Sequence, residues 1–196
     1  MINSIPDINA YILTGGQSRR MNTDKSRIKL NGKTLTEITY HKLKLLFKEV
    51  FIVGKENHLP TLNFIQDIKP IQCPLNGIVT SLDHSQNDWI FIIACDLPMV
   101  RKESIDYLYN NIKSNIQIVL PIVGDDLQPL CAFYNKSVLK VYNEAITKSE
   151  YSIMKLMNQF EVAKVTISSE NKDEFLNVNN PEELRKVESL LMKRNN

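Results

Sequence analysis

With 196 residues, 43% hydrophobic and 23% charged, the chain is long enough to bury a full core in one domain and has neither a disordered nor a fibrous composition. A formal net charge of +2 speaks against the dense basic surface of a nucleic-acid binder, and three widely spaced cysteines with no C-x-x-C pair speak against a disulfide framework or a zinc site. No apolar run approaches the roughly 18 residues of a membrane span, and the N-terminus lacks a charged stretch followed by an apolar one, so a cytoplasmic protein with reduced thiols is expected.

In chain order, the first apolar run, 10–13, predicts a buried strand. Thr34 with Glu37 spells a helix start, an oxygen-bearing cap three residues before a carboxylate that can reach back. Strands follow at 50–53, 62–65 and 89–94. Ile105, Leu108, Tyr109 and Ile112 then fall at helical offsets 0, 3, 4 and 7. A strand over 116–123 precedes a second stripe of the same spacing, Val138, Val141, Tyr142 and Ala145. The run 162–167 predicts a further strand, 168–174 a polar surface loop, and Asn180, Pro181 and Glu183 the start of a last helix. Short, nearly continuous apolar strands alternating with amphipathic helices predict an α/β fold with a mostly parallel central sheet covered on both faces.

In such sheets ligands bind just beyond the strand ends. The loop after the first strand reads Leu13-Thr14-Gly15-Gly16-Gln17-Ser18-Arg19-Arg20-Met21-Asn22-Thr23-Asp24-Lys25. Paired glycines let backbone N–H groups converge on phosphate oxygens without a Cβ in the way. Ser18 adds a hydroxyl, and Arg19, Arg20 and Lys25 add positive charge, which suits a polyphosphate. Gly32-Lys33-Thr34 imitates the tail of a P-loop, but Arg27 stands where that motif needs its first glycine. Gln17 likewise occupies the place of the second glycine of a dinucleotide fingerprint, which speaks against a nicotinamide enzyme.

The strand 89–94 closes with Cys95-Asp96-Leu97-Pro98, which puts Asp96 at a strand's C-terminal end. A carboxylate there can hold Mg²⁺, a hard cation usually bound by one or two carboxylates together with substrate phosphates; the alternative is an Asp that only shapes the turn. Asp67, after the strand 62–65, is a second candidate of the same kind. His41, His58 and His84 show no metal-ligand spacing and are read as structural or exposed.

The loop from Leu13 to Met21 with Asp24-Lys25 resembles the signature of the molybdenum cofactor guanylyltransferases, the MobA family. The resemblance continues through Pro74-Leu75-Asn76-Gly77-Ile78, Cys95-Asp96-Leu97-Pro98, Gln128-Pro129-Leu130 and Asn177-Val178-Asn179-Asn180-Pro181-Glu182-Glu183-Leu184, in order along nearly the entire chain. Three positions depart from the pattern: Thr14 replaces an alanine, Asn22 a glycine, and Gly54 stands where some members have an asparagine at the nucleotide site.

The resemblance implies a three-layer, Rossmann-like nucleotidyltransferase fold in a single domain over 1–196, with a nucleotide half at about 1–100 and an acceptor half at about 101–196. It implies transfer of GMP from GTP to the terminal phosphate of molybdopterin, with pyrophosphate released and Mg²⁺ as cofactor. Leu13, Thr14, Gly15, Gly16 and Ser18 would then contact GTP, Lys25 would neutralise triphosphate charge, and Arg20 would stabilise the leaving pyrophosphate. Asp96 would hold the metal and Asp67 would contact the nucleotide, while Gln128, Asn177 and Asn179 would face the pterin. Transient contact with proteins that deliver or receive the cofactor fits this reading, and contact with nucleic acid or membrane does not. Two alternatives stay open: a related nucleotidyltransferase, for the cytidylyl form of the cofactor or for a sugar phosphate, and a non-catalytic nucleotide-binding subunit. Gly15-Gly16 favours a purine nucleotide, since the cytidylyltransferases of this cofactor typically carry L-A-A-G.

Overall fold

The computed structural model describes residues 5–14, 28–30 and 32–194. Its main sheet runs β10 (Val162–Thr166), β7 (Ile118–Val123), β9 (Cys131–Asn135), β6 (Trp89–Ala94), β1 (Asn9–Leu13), β4 (Val50–Gly54) and β5 (Phe64–Gln66), with the short β8 (Asp126–Leu127) paired to β7. β1 pairs in parallel with β4 and β6, β4 with β5, and β7 with β10. The expected mostly parallel sheet is therefore present, with two exceptions: the short β8 is antiparallel to β7, and β9 lies antiparallel between β6 and β7. The five residues of β9 are buried but for the last, and so short a run carries no sign of direction. A separate hairpin, β2 (Lys29–Leu30) with β3 (Lys33–Thr34), leads into the first helix.

The strands read as continuous apolar runs because both faces are covered. Successive residues alternate between two cores: Ala10 and Ile12 of β1 join Phe91 and Ile93 of β6 on one face, whereas Tyr11 and Leu13 join Ile90 and Ile92 on the other. The first core is closed by α1 (Leu35–Leu43) and α3 (Lys102–Tyr109), and the second by α2 (Pro74–His84), α4 (Leu139–Thr147) and α5 (Ile153–Met157). A third, smaller cluster of Ile28, Leu30, Leu35, Met99, Val178 and Val187 seats α6 (Pro181–Arg194). Each large side chain so buried contributes about 1.5–3 kcal/mol.

The cap at Thr34 forms as read. Glu37 N–H donates to Thr34 Oγ1 at 3.1 Å, and Thr34 N–H donates to the Glu37 carboxylate at 2.8 Å. The Thr34 side chain and then its backbone hold the Glu37 carboxyl below its ordinary pKa. At α6, Asn180 Oδ1 accepts from the N–H groups of Glu182 and Glu183, but the Glu183 carboxylate reaches one residue further back, to Asn179 N–H at 2.6 Å. Both amphipathic stripes are helical, with Ile112 in the turn beyond α3 and Val138 at the N-cap of α4.

One expectation is corrected. The polar stretch 168–174 is not a simple surface loop, because it belongs to the 3₁₀ helix Ser169–Phe175, within which Glu174 is fully buried. Its carboxylate accepts from Arg101 N–H at 3.1 Å, from Arg101 Nε at 2.6 Å and from Ser104 Oγ at 2.6 Å. It thereby caps α3, whose own N-cap residue Arg101 makes no side-chain cap.

Candidate active site

The parallel strands β5, β4, β1 and β6 end side by side, and the backbone carries their alignment past the ends. Asp67 N–H donates to Gly54 O at 2.8 Å, Thr14 N–H to Val53 O at 2.9 Å, and Cys95 N–H to Leu13 O at 3.1 Å. Val178 N–H then donates to Asp96 O at 2.9 Å, and Ala94 N–H to Leu130 O at 2.8 Å. An unbroken row of backbone contacts thus runs from Asp67 past Thr14 to Asp96, with the Asn177–Asn179 and Gln128–Leu130 segments joined on beyond it. Three strand spacings of about 4.8 Å put Asp67 on the order of 14 Å from Asp96 along this edge.

Of the residues read as site candidates, the fold therefore brings Leu13, Thr14, Asp67, Asp96, Gln128, Asn177 and Asn179 to one edge of the sheet. Leu13 is buried and packs so closely on α2 that a Cβ on Gly77 would stand 3.0 Å from Leu13 Cδ2. Thr14 is half-buried, Asn177 exposed, and Gln128 and Asn179 half-buried. The Gln128 turn is held from inside by the buried Tyr134, whose hydroxyl donates to Pro129 O at 2.8 Å. Gly15, Gly16, Ser18, Arg20 and Lys25 lie outside the described residues.

Thr14 and Gly54, two of the departures from the family pattern, occupy one space. Thr14 Oγ1 donates to Val53 O at 3.0 Å, which holds the hydroxyl only 2.2 Å from where a Cβ on Gly54 would stand. No side chain fits at 54 while that hydroxyl is in place. This contact was invisible in the sequence, where the two residues are forty positions apart.

Asp67 and Asp96 are differently placed. Burial pushes the Asp67 carboxyl above its ordinary pKa, against the opposing pull of Lys55 and Thr80, and its Oδ1 is buried with no hydrogen-bond partner. A carboxylate in that state is suited to accept an N–H or O–H from a ligand. Asp96 is 8% exposed at the end of β6. Among the described residues no group of three or more His, Cys, Asp and Glu side chains could hold a metal ion. The oxygen donors that Asp96 offers suit a hard divalent ion, which is usually held by one or two carboxylates together with phosphate and water.

Of the histidines, His84 Nδ1 lies 3.1 Å from the Tyr11 hydroxyl, His41 is exposed against the Tyr40 ring, and His58 pairs with Glu56 at 3.6 Å where both line a small pocket with Thr14. No helix among the described residues is long and apolar enough to cross a membrane.

A mostly parallel sheet in three layers carries Asp96 at the carboxyl end of its central strand β6 and Asp67 at that of the edge strand β5, and its family makes the protein a nucleotidyltransferase. Residues 10–165 match the MobA-like NTP transferase domain, and the chain belongs to that family. Among its relatives, a probable molybdenum cofactor guanylyltransferase of Aquifex aeolicus is 31% identical over 90% of this chain and 88% of its own length. Another from Clostridium perfringens (strain 13) is 32% identical over 94% and 96%. In fold, the crystal structure of molybdopterin-guanine dinucleotide biosynthesis protein A from Archaeoglobus fulgidus matches with a TM-score of 0.83 at 23% identity, covering 95% of this chain and 100% of that one.

Proposed function

We propose that the protein transfers GMP from GTP to the terminal phosphate of molybdopterin. An acceptor phosphate oxygen bonds to the α-phosphorus of GTP while the bond from that phosphorus to the α–β bridging oxygen breaks. The products are the guanine dinucleotide form of the cofactor and pyrophosphate. A phosphate monoester with a second pKa near about 6 is already largely a dianion at neutral pH, so the nucleophile needs no general base. Catalysis then consists of positioning and charge neutralisation.

The nucleotide lies against Leu13, Thr14 and the loop that begins at Gly15-Gly16, with Ser18 and Asp67 as further contacts. Asp67, with its buried and unsatisfied oxygen, accepts a hydrogen bond from the nucleoside. Lys25 neutralises triphosphate charge and Arg20 the departing pyrophosphate. Asp96 is the residue that would hold Mg²⁺, which supplies charge neutralisation at the phosphate oxygens when bound. On the acceptor side Gln128, Asn177 and Asn179 orient the pterin, so the chain divides functionally near residue 100 within one domain. GTP, molybdopterin and Mg²⁺ are the partners this requires, and a protein that delivers or receives the cofactor would dock transiently near the acceptor half.

The single observation that supports this reading best is the backbone row that carries Asp67, Thr14 and Asp96 along one edge and continues into the Asn177–Asn179 segment. The test is pyrophosphate release with molybdopterin and Mg²⁺ supplied with GTP, CTP or ATP in turn. GTP should be used best, and Asp96→Ala should reduce turnover at least 100-fold, on the order of the loss from removing one charge-stabilising group. A clear preference for CTP would replace the guanylyl reading with a cytidylyl one, and unchanged turnover in Asp96→Ala would remove Asp96 from the metal site.

A further inference from the structure

The segment from Cys95 to Arg101 holds the carboxylate of Asp96, and its backbone is fixed at several points. Cys95 N–H binds Leu13 O, Asp96 O accepts from Val178 N–H, and Arg101 is gripped by Glu174. The Met99 side chain is buried in the small cluster under α6. Between these anchors the carbonyls of Pro98 and Val100 turn toward α1 and meet Lys42, whose Nζ donates to Pro98 O at 2.5 Å and to Val100 O at 2.8 Å. Lys42 is half-buried and lies 54 positions from Asp96 in the sequence.

We propose that Lys42 is a positioning residue for the metal held by Asp96, and this rests on the reading of Asp96 given above. Pro98 has no N–H and fixes one torsion of the turn, but nothing in a proline sets the angle at which the next residues leave. One ammonium shared by two carbonyls sets that angle: it clamps residues 98 and 100 to a common point on α1, and so fixes the base on which Asp96 stands two residues earlier. Mg²⁺ demands near-ideal octahedral geometry at about 2.0–2.1 Å, and a ligand displaced by a few tenths of an ångström is a poor ligand. Removing the ammonium leaves two inward-facing carbonyls without that donor, and the turn must shift to find water or another partner. Because Val178 N–H is bonded to Asp96 O, the same shift would be passed to Asn177 and Asn179.

Lys42 also has a simpler role open to it, that of offsetting charge in the core. It and Glu174 both lie near enough to the buried Cys131 thiol to act on it with opposite sign, although burial is the main reason that this thiol's pKa is pushed up. A role confined to core charge would alter stability and leave metal affinity alone, which separates the two.

The experiment compares the unsubstituted protein with Lys42→Met, which keeps the aliphatic stem, and Lys42→Arg, which keeps the charge and donors. Binding of Mn²⁺ in the presence of GTP is read by electron paramagnetic resonance, the Mg²⁺ concentration for half-maximal pyrophosphate release is measured at saturating GTP, and thermal midpoints are taken alongside. Lys42→Met should weaken Mn²⁺ binding and raise the Mg²⁺ midpoint by about tenfold, with GTP affinity in the absence of metal unchanged; Lys42→Arg should recover most of the loss. Unchanged Mn²⁺ and Mg²⁺ dependence in folded Lys42→Met overturns the inference and leaves the proposed reaction standing. Weakened Mn²⁺ binding in a protein that shows no turnover with GTP overturns the reaction and leaves the inference standing. Should Lys42→Met not fold, Lys42→Gln, whose shorter side chain lacks the ammonium shared by the two carbonyls, takes its place: weakened Mn²⁺ binding with a raised Mg²⁺ midpoint supports the positioning role, and no shift refutes it.

Discussion

A hydroxyl and a missing side chain share one space where β1 and β4 end. A methyl group on Gly54 would meet Thr14 Oγ1 at 2.2 Å, so Gly54→Ala forces that hydroxyl out of its bond to Val53 O or moves the strand ends apart. We expect Gly54→Ala to cost about 1–3 kcal/mol, in the range of overpacking, and Thr14→Ala to relieve most of that cost by vacating the space. A double-mutant cycle in chemical denaturation measures the coupling, expected at about 1–2 kcal/mol. An equal cost of Gly54→Ala in both backgrounds would mean that the hydroxyl is not what excludes a side chain at 54. At this scale the placement of Asp96 and Asp67 was legible, because each follows an apolar run and each stands just past the end of a strand. The pairing of Thr14 with Gly54 was not legible, because it depends on β1 and β4 lying side by side.

Among the elements, α3 shows how local reading falls short. Its first turn carries Lys102 and Glu103, but its cap is the carboxylate of Glu174, supplied from a 3₁₀ helix 73 positions after Arg101. Ser-Ser-Glu-Asn-Lys-Asp-Glu has the composition of a solvated loop, and nothing within it marks the last glutamate as buried. Glu174→Ala would leave Arg101 N–H and Ser104 Oγ without their acceptor and the Arg101 guanidinium without its ion pair. The expected cost is about 2–4 kcal/mol, less than for a fully buried pair because the Arg101 side chain is partly exposed and can turn to water. Equilibrium urea denaturation checks it, and a loss under about 0.5 kcal/mol would show that the carboxylate is dispensable. The cap at Thr34, by contrast, was readable in full, since both partners sit within one helical turn.

At the scale of the whole molecule, the sheet crosses the boundary near residue 100 at which the proposed function divides the chain. β9, from beyond residue 100, pairs with β6, so neither half can unfold without opening the other's ladder. We therefore expect one cooperative thermal transition, with calorimetric and van't Hoff enthalpies in agreement. GTP with a divalent cation at 100 times its dissociation constant should stabilise the native state by about 2.7 kcal/mol and move that single transition as a whole. Two separated transitions, only one of them shifted by nucleotide, would show instead that the halves are independent domains.

Apolar runs long enough to be buried strands, helical stripes, the cap at Thr34 and a carboxylate at the end of β6 could all be read from near neighbours in the chain. These follow from backbone periodicity and from contacts within a turn or two of chain. The order of the strands, the antiparallel insertion of β9, the burial of Glu174, the shared space of Thr14 and Gly54, and the hold of Lys42 on the Pro98–Val100 turn emerge only once the chain is packed. Each of these is a contact between residues tens of positions apart, and such contacts acquire energy only when packing the two apolar faces has already chosen which strands stand side by side.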